Sequence, residues 1–172
     1  MHNYKMKRIF VLLLLAAVMF SCGEKMSVEK INELESKVFA KGAVLTAENV
    51  IQLVDAYVLF AEQNPNDHQT PDFLFKALDV AVGVNAEGPQ KALDIANILI
   101  EKYPDFEMTP MAMFIKGFVY ENMIGDLQSA ETVYRQFIDK YPDNPMVEDV
   151  KSTLENLGLT PEELIRKFEE AN

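Results

Sequence analysis

Apart from His2 near the start, the chain has one histidine, His68, in the stretch "NPNDHQTP" with Asp67 and Asp72 close by. A histidine beside carboxylates could ligate a metal or act as the base of a nucleophilic triad. Neither set is complete. Cys22 is the only cysteine, so no nitrogen- or sulfur-rich metal cage can be assembled and no intrachain disulfide can form. No G-x-S-x-G elbow occurs, and "GVNAEG" has two glycines without the Lys-Ser/Thr of a phosphate loop. Glu162 and Glu163 are adjacent carboxylates, but they open a helix, where the dipole favours negative charge. Of nine methionines, Met1, Met6, Met19 and Met26 lie in or next to the N-terminal apolar segment, and the others read as core filler or helix ends. The expectation is a solvated His68, no catalytic residue, no metal site, no cofactor and no enzymatic activity.

Cys22 is the residue whose position suggests chemistry. It follows a basic start (Lys5, Lys7, Arg8) and an unbroken apolar run from Ile9 to Phe20. Twelve helical residues reach about 18 Å, too short for a hydrocarbon core of about 30 Å, so the segment reads as a secretory signal. The ending Ser21-Cys22-Gly23 resembles the lipobox of bacterial lipoproteins, although Met19 and Phe20 depart from the usual Leu and small residue. The resemblance implies cleavage before Cys22, acylation of that cysteine and anchoring by several acyl chains. Gly23, in place of aspartate after the cysteine, implies passage to the outer membrane. The expected layout is a lipoprotein signal at 1–21, a lipidated cysteine and short tether at 22–26, and one domain at 27–172, facing the periplasm or the cell surface.

Removing 1–21 takes three basic residues and no acidic ones. The remainder carries 27 acidic and 13 basic residues, a net charge of −14. Such a surface repels phosphate backbones, which excludes nucleic acid as a partner, and disfavours adsorption to anionic headgroups. Membrane attachment would have to come from the lipid.

The elements that must position any site follow from proline and periodicity. "LIEKYPDFE" and "FIDKYPDNP" are 38 residues apart, and prolines recur in pairs at 65/71, 104/110 and 142/145. Each pair marks the exit of one helix and the start of the next. Between them the apolar period is helical: Ala92, Ile95, Ala96, Leu99 and Ile100 on one face, and Ala130, Val133, Tyr134, Phe137 and Ile138 on the next. Helices are predicted over Ser27–Lys41, Thr46–Gln63, Phe73–Gly83, a segment ending near Tyr103, Met111–Met123, a segment ending near Tyr141 and Met146–Leu157. A last helix opens at "TPEE" with a capping box. No alternating run demands a strand.

At "MFIKGFVYENMIGDLQSAETVYRQFIDKYPDNP" the chain resembles a tetratricopeptide repeat, through Phe114, Gly117, Tyr120, Gly125, Ala130, Tyr134 and Pro142. One extra residue precedes Gly125 relative to the 34-residue consensus. The preceding repeat matches in its second helix and lacks the glycine in its first. The "YP" endings are similar to those of envelope repeat lipoproteins and of the repeat domain of the Tol–Pal accessory protein, without that protein's coiled coil. The resemblance implies an all-α fold, a tetratricopeptide-like right-handed superhelix of about four antiparallel helix hairpins. It also implies an adaptor that binds an envelope protein or peptide in a groove lined by first helices. By alignment the groove residues would be Phe73, Lys76 and Val80, then Ala112, Ile115, Val119 and Asn122, then Glu148, Lys151 and Glu155. A one-residue shift of register would move Ile115 and Val119 into the core. The competing reading is an accessory lipoprotein that binds a small ligand, a peptide or glycan, without catalysis. A closed pocket with His68 and convergent carboxylates would favour it. An open trough would favour a protein segment.

Overall fold

The computed structural model describes residues 25–42 and 46–170. The expected signal at 1–21 and Cys22 lie outside the described residues. Among the described residues there are eight α-helices and no strand. They are α1 (Val28–Phe39), α2 (Ala47–Gln63), α3 (Thr70–Val82), α4 (Gly88–Lys102), α5 (Thr109–Phe118), α6 (Leu127–Lys140), α7 (Val147–Glu155) and α8 (Pro161–Glu170). A π-helical segment, Val119–Ile124, continues α5. Each helix from α1 to α6 packs on the next, giving successive antiparallel pairs.

Local chemistry sets the ends. Ser27, Thr46 and Asp126 accept hydrogen bonds from the N–H groups of Lys30, Asn49 and Ser129, satisfying donors that a helix start leaves open. Thr160 and Glu163 form the reciprocal capping box at 2.9 and 3.2 Å. Helices α3 and α5 start at Thr70 and Thr109, earlier than predicted, because Pro71 and Pro110 lie inside the first turn rather than before it. Gly125 turns the chain with φ +78°, a conformation that favours glycine. The residue in excess of the consensus is taken up just before it, in the π-helical turn, whose i→i+5 bonding accommodates one more residue than an α-turn.

Between hairpins the chain repeats one link. The α2–α3 and α4–α5 links each bury a threonine completely. Thr70 Oγ1 donates to the Asn64 carbonyl and Thr109 Oγ1 to the Tyr103 carbonyl, both at 2.6 Å. Tyr103 also reaches back one repeat, its hydroxyl donating to the Pro65 carbonyl at 2.9 Å.

The interior forms two clusters. The first joins α1 to α4 and takes Ala112 and Val119 from the next hairpin. The second joins Met113 to Ala130, Val133, Tyr134 and Phe137 of α6 and to Val147 and Val150 of α7. The fifth helix is thus a wedge with a face in each. Helix α8 packs less closely: Ile165 is 59% exposed, and Lys167 Nζ reaches the Glu155 carbonyl at 3.3 Å and Asn156 Oδ1 at 2.7 Å.

Candidate functional site

The wedge position of α5 overturns part of the predicted groove. Ala112 and Val119, seven residues apart, are fully buried against the preceding hairpin, and Ile115 between them is half-buried in the same layer. Phe73 is also core. It stacks on Tyr57 at 5.6 Å between ring centres and meets the Phe60 ring edge-on at 4.9 Å. None of these buried side chains is available to a partner. Asn122 is exposed, and its side-chain amide donates to the Phe118 carbonyl. Glu148, Lys151 and Glu155 are exposed on α7, where Lys151 pairs with Glu148 at 2.7 Å.

Lys76 and Val80 are the two predicted groove residues that the fold brings to a cavity. They project from α3 toward α1, where Glu35 and Phe39 meet them across a hollow of about 260 Å³. Lys76 Nζ lies 2.8 Å from Glu35 Oε1, tying the first helices of two hairpins together, and 5.5 Å from the centre of the Phe73 ring. The Tyr57 hydroxyl donates to the same Glu35 oxygen at 2.6 Å. Burial opposes the charge on Glu35. The hydrogen bonds from Lys76 and Tyr57, with the lysine's charge, outweigh it and hold the carboxyl below its ordinary pKa. Burial first, and the adjoining carboxylate second, push the Tyr57 phenol far above its ordinary value.

Phe39, Asp79 and Val80 also border a larger cavity of about 580 Å³ at the tips of the first two hairpins. Its walls are Val38 and Phe39 from the end of α1, Ala47, Val50 and Ile51 from the start of α2, and Val84 and Ala86 after α3. The two hollows adjoin at Phe39, Asp79 and Val80, and together they are termed the trough, with an apolar floor. Phe39 stands over it with 60% of its surface exposed. The polar margin includes Asp79 and Glu87, both exposed and without an ion pair among the described residues.

Sequence reasoning missed Glu35, Phe39, Asp79 and Glu87. One signal was present: Phe39 follows Val38 and so falls out of phase with the stripe of Ile31, Leu34 and Val38. An aromatic beside, rather than in, a core stripe is left facing out of the helix's own packing.

His68 is 90% exposed, with Nδ1 3.4 Å from Asp67. It precedes α3, while the larger cavity lies at that helix's far end, so it takes no part in the trough. Among the described residues no group of three metal-binding side chains occurs, and no helix is long and apolar enough to cross a membrane.

A second crevice, about 340 Å³, lies between α5 and α6, lined by Lys116, Tyr120, Gln128 and Ser129 among others. Lys116 is half-buried, at the position where the preceding repeat has the fully buried Ala77. Burial lowers its pKa, and the charge of Glu101 acts against that shift.

Comparison with known families identifies the repeat unit. Residues 111–144 match the tetratricopeptide repeat family model. The matched stretch runs from α5 through α6 into the link before α7. No curated protein matches the chain.

Proposed function

We propose that the chain is a lipid-anchored adaptor of the cell envelope, held on the outer membrane through Cys22, which binds a segment of a protein partner in the trough between α1 and α3. Tetratricopeptide repeats commonly mediate protein–protein contacts, and one such unit stands in the middle of this stack. The observation that carries the reading is the exposed Phe39 above an open, apolar cavity of about 580 Å³, within the usual range of ligand-holding clefts. Open shape and an apolar floor suit a protein segment better than a small polar ligand.

An anchor at Cys22 would hold the domain on a short tether. Met26 packs against the first core, and its N–H donates to Gln63 Oε1 at 2.7 Å. From Cys22 to Met26 is four residues, or about 14 Å fully extended. The start of α1 would then sit close to the headgroups. The larger cavity, at the other end of this 12-residue helix, would lie about 18 Å beyond it.

Two measurements test the two halves. Labelled fatty acid should be incorporated by the natural chain and not by Cys22→Ala; equal labelling removes the anchor. A photo-crosslinking residue placed at Val80 should capture a discrete envelope partner in intact cells, and one at Lys151 should not. Equal capture from both positions would reject the trough as the docking face.

A further inference from the structure

We infer that the segment received by the trough is cationic as well as apolar: a stretch in which lysine or arginine accompanies leucine-like or aromatic side chains. The inference rests on the docking reading above and adds the charge of the occupant. The floor fixes the apolar half. Phe39, Ile51 and Val80 are the larger apolar side chains still open to solvent there, beside the exposed Ala47 and Ala86, and all would lose exposure under a partner.

The margin fixes the charge. Three acidic residues and one basic residue line the two joined hollows. The basic one, Lys76, is already held by Glu35 at 2.8 Å, so the pair presents no net charge to a newcomer. Asp79 and Glu87 are left as carboxylates with no ion pair among the described residues. Both are solvated, so binding a cation there requires little desolvation, and the attraction contributes mainly to choice of partner and rate of encounter. The whole chain adds to it, with a formal net charge of −11. An acidic segment would meet two uncompensated carboxylates beside its apolar anchor and would be rejected.

The test is selection from a phage-displayed library of random 12-residue peptides. The bait is the full chain in phosphatidylcholine nanodiscs, with empty nanodiscs as counter-selection. The expected winners carry net positive charge next to Leu, Ile, Phe or Met. Synthetic winners should bind the Asp79→Asn, Glu87→Gln chain about tenfold more weakly, and binding to the natural chain should weaken with salt. These two exposed residues can be changed without touching the core, so folding is preserved. If winners are neutral or acidic, or bind the double variant equally, the charge inference is overturned and the docking reading stands. If no peptide is enriched over empty nanodiscs, or winners bind Val80→Glu unchanged, the docking reading falls and the inference with it. Winners that merely shift the sedimentation of the chain, by competing with a second copy, would reassign the trough to self-association and overturn both.

Discussion

The second and third hairpins solve the same packing problem with opposite residues. In the third, Gly117 lies against the ring of the fully buried Tyr134, close enough that a methyl at 117 would overlap it. One repeat earlier the corresponding positions hold Leu78 and Ala96, both fully buried. The large side chain has moved from the second helix to the first. Helix crossings therefore demand a combined volume, not a residue type, and a consensus glycine is absent where its partner is small. The third hairpin also needs something the second does not. The Tyr134 hydroxyl, carried into the interior, donates to Glu121 at 2.9 Å, as Tyr57 does to Glu35 in the first hairpin. Ala96 has no hydroxyl to satisfy.

The largest expected effect probes this exchange directly. Tyr134→Ala should cost about 3–5 kcal/mol in denaturant unfolding, the usual range for emptying a large aromatic site. Adding Gly117→Leu copies the second hairpin into the third and should recover part of that loss. A double variant no more stable than Tyr134→Ala would break the comparison. Gly117→Ala alone should cost about 1–3 kcal/mol, because the ring it strikes is pinned on all sides and cannot yield.

The links between hairpins offer a smaller contrast. Thr70 and Thr109 are matched one repeat later by Val147, which is buried but has no hydroxyl for the Tyr141 carbonyl. Nor does the buried Tyr141 hydroxyl find a hydrogen-bond partner, whereas Tyr103 does. Thr109→Val should make the second link resemble the third, at about 1 kcal/mol by thermal melting. Val147→Thr should cost less than that or stabilise. The opposite ranking would mean that the hydroxyl bonds contribute little.

The smallest effect is one of pH. Burial, and then the neighbouring carboxylates, raise the pKa values of Tyr57 and Tyr134. A raised folded value means stability is complete below the unfolded tyrosine pKa of about 10 and declines as pH rises beyond it. Alkaline unfolding should therefore steepen above about pH 10, and the Tyr57→Phe, Tyr134→Phe chain should show a shallower decline. Unchanged slopes would show that the two phenols are not coupled to folding. Glu35 has the opposite sign: its lowered pKa contributes stability that is present above the ordinary carboxylate value and lost as pH falls through the folded one.

The helices, their order and their turns were legible in the chain of letters. Pro71, Pro110, Gly125, the Thr160–Glu163 box and the stripe of Val133, Tyr134 and Phe137 act over a few residues, and such signals survive in one dimension. Two residues of the trough, Lys76 and Val80, could be placed from the sequence, since they lie on the exposed and half-exposed side of a helix whose core face was readable. The rest was not. Phe73, Ala112 and Val119 satisfy a first-helix groove pattern as well as they satisfy a core pattern, and periodicity alone cannot say how many sides of a helix are covered.

By itself the sequence determined that this chain folds as paired amphipathic helices at a spacing of 38 or 39 residues, because propensity, capping and proline chemistry are local. Only the tertiary stack decided which faces stay open. Helix α5 is covered on two sides because neighbours on both sides need its apolar surface. The face between α1 and α3 retains a trough because Phe39 extends past the end of that packing, and among the described residues no helix lies beyond to bury it.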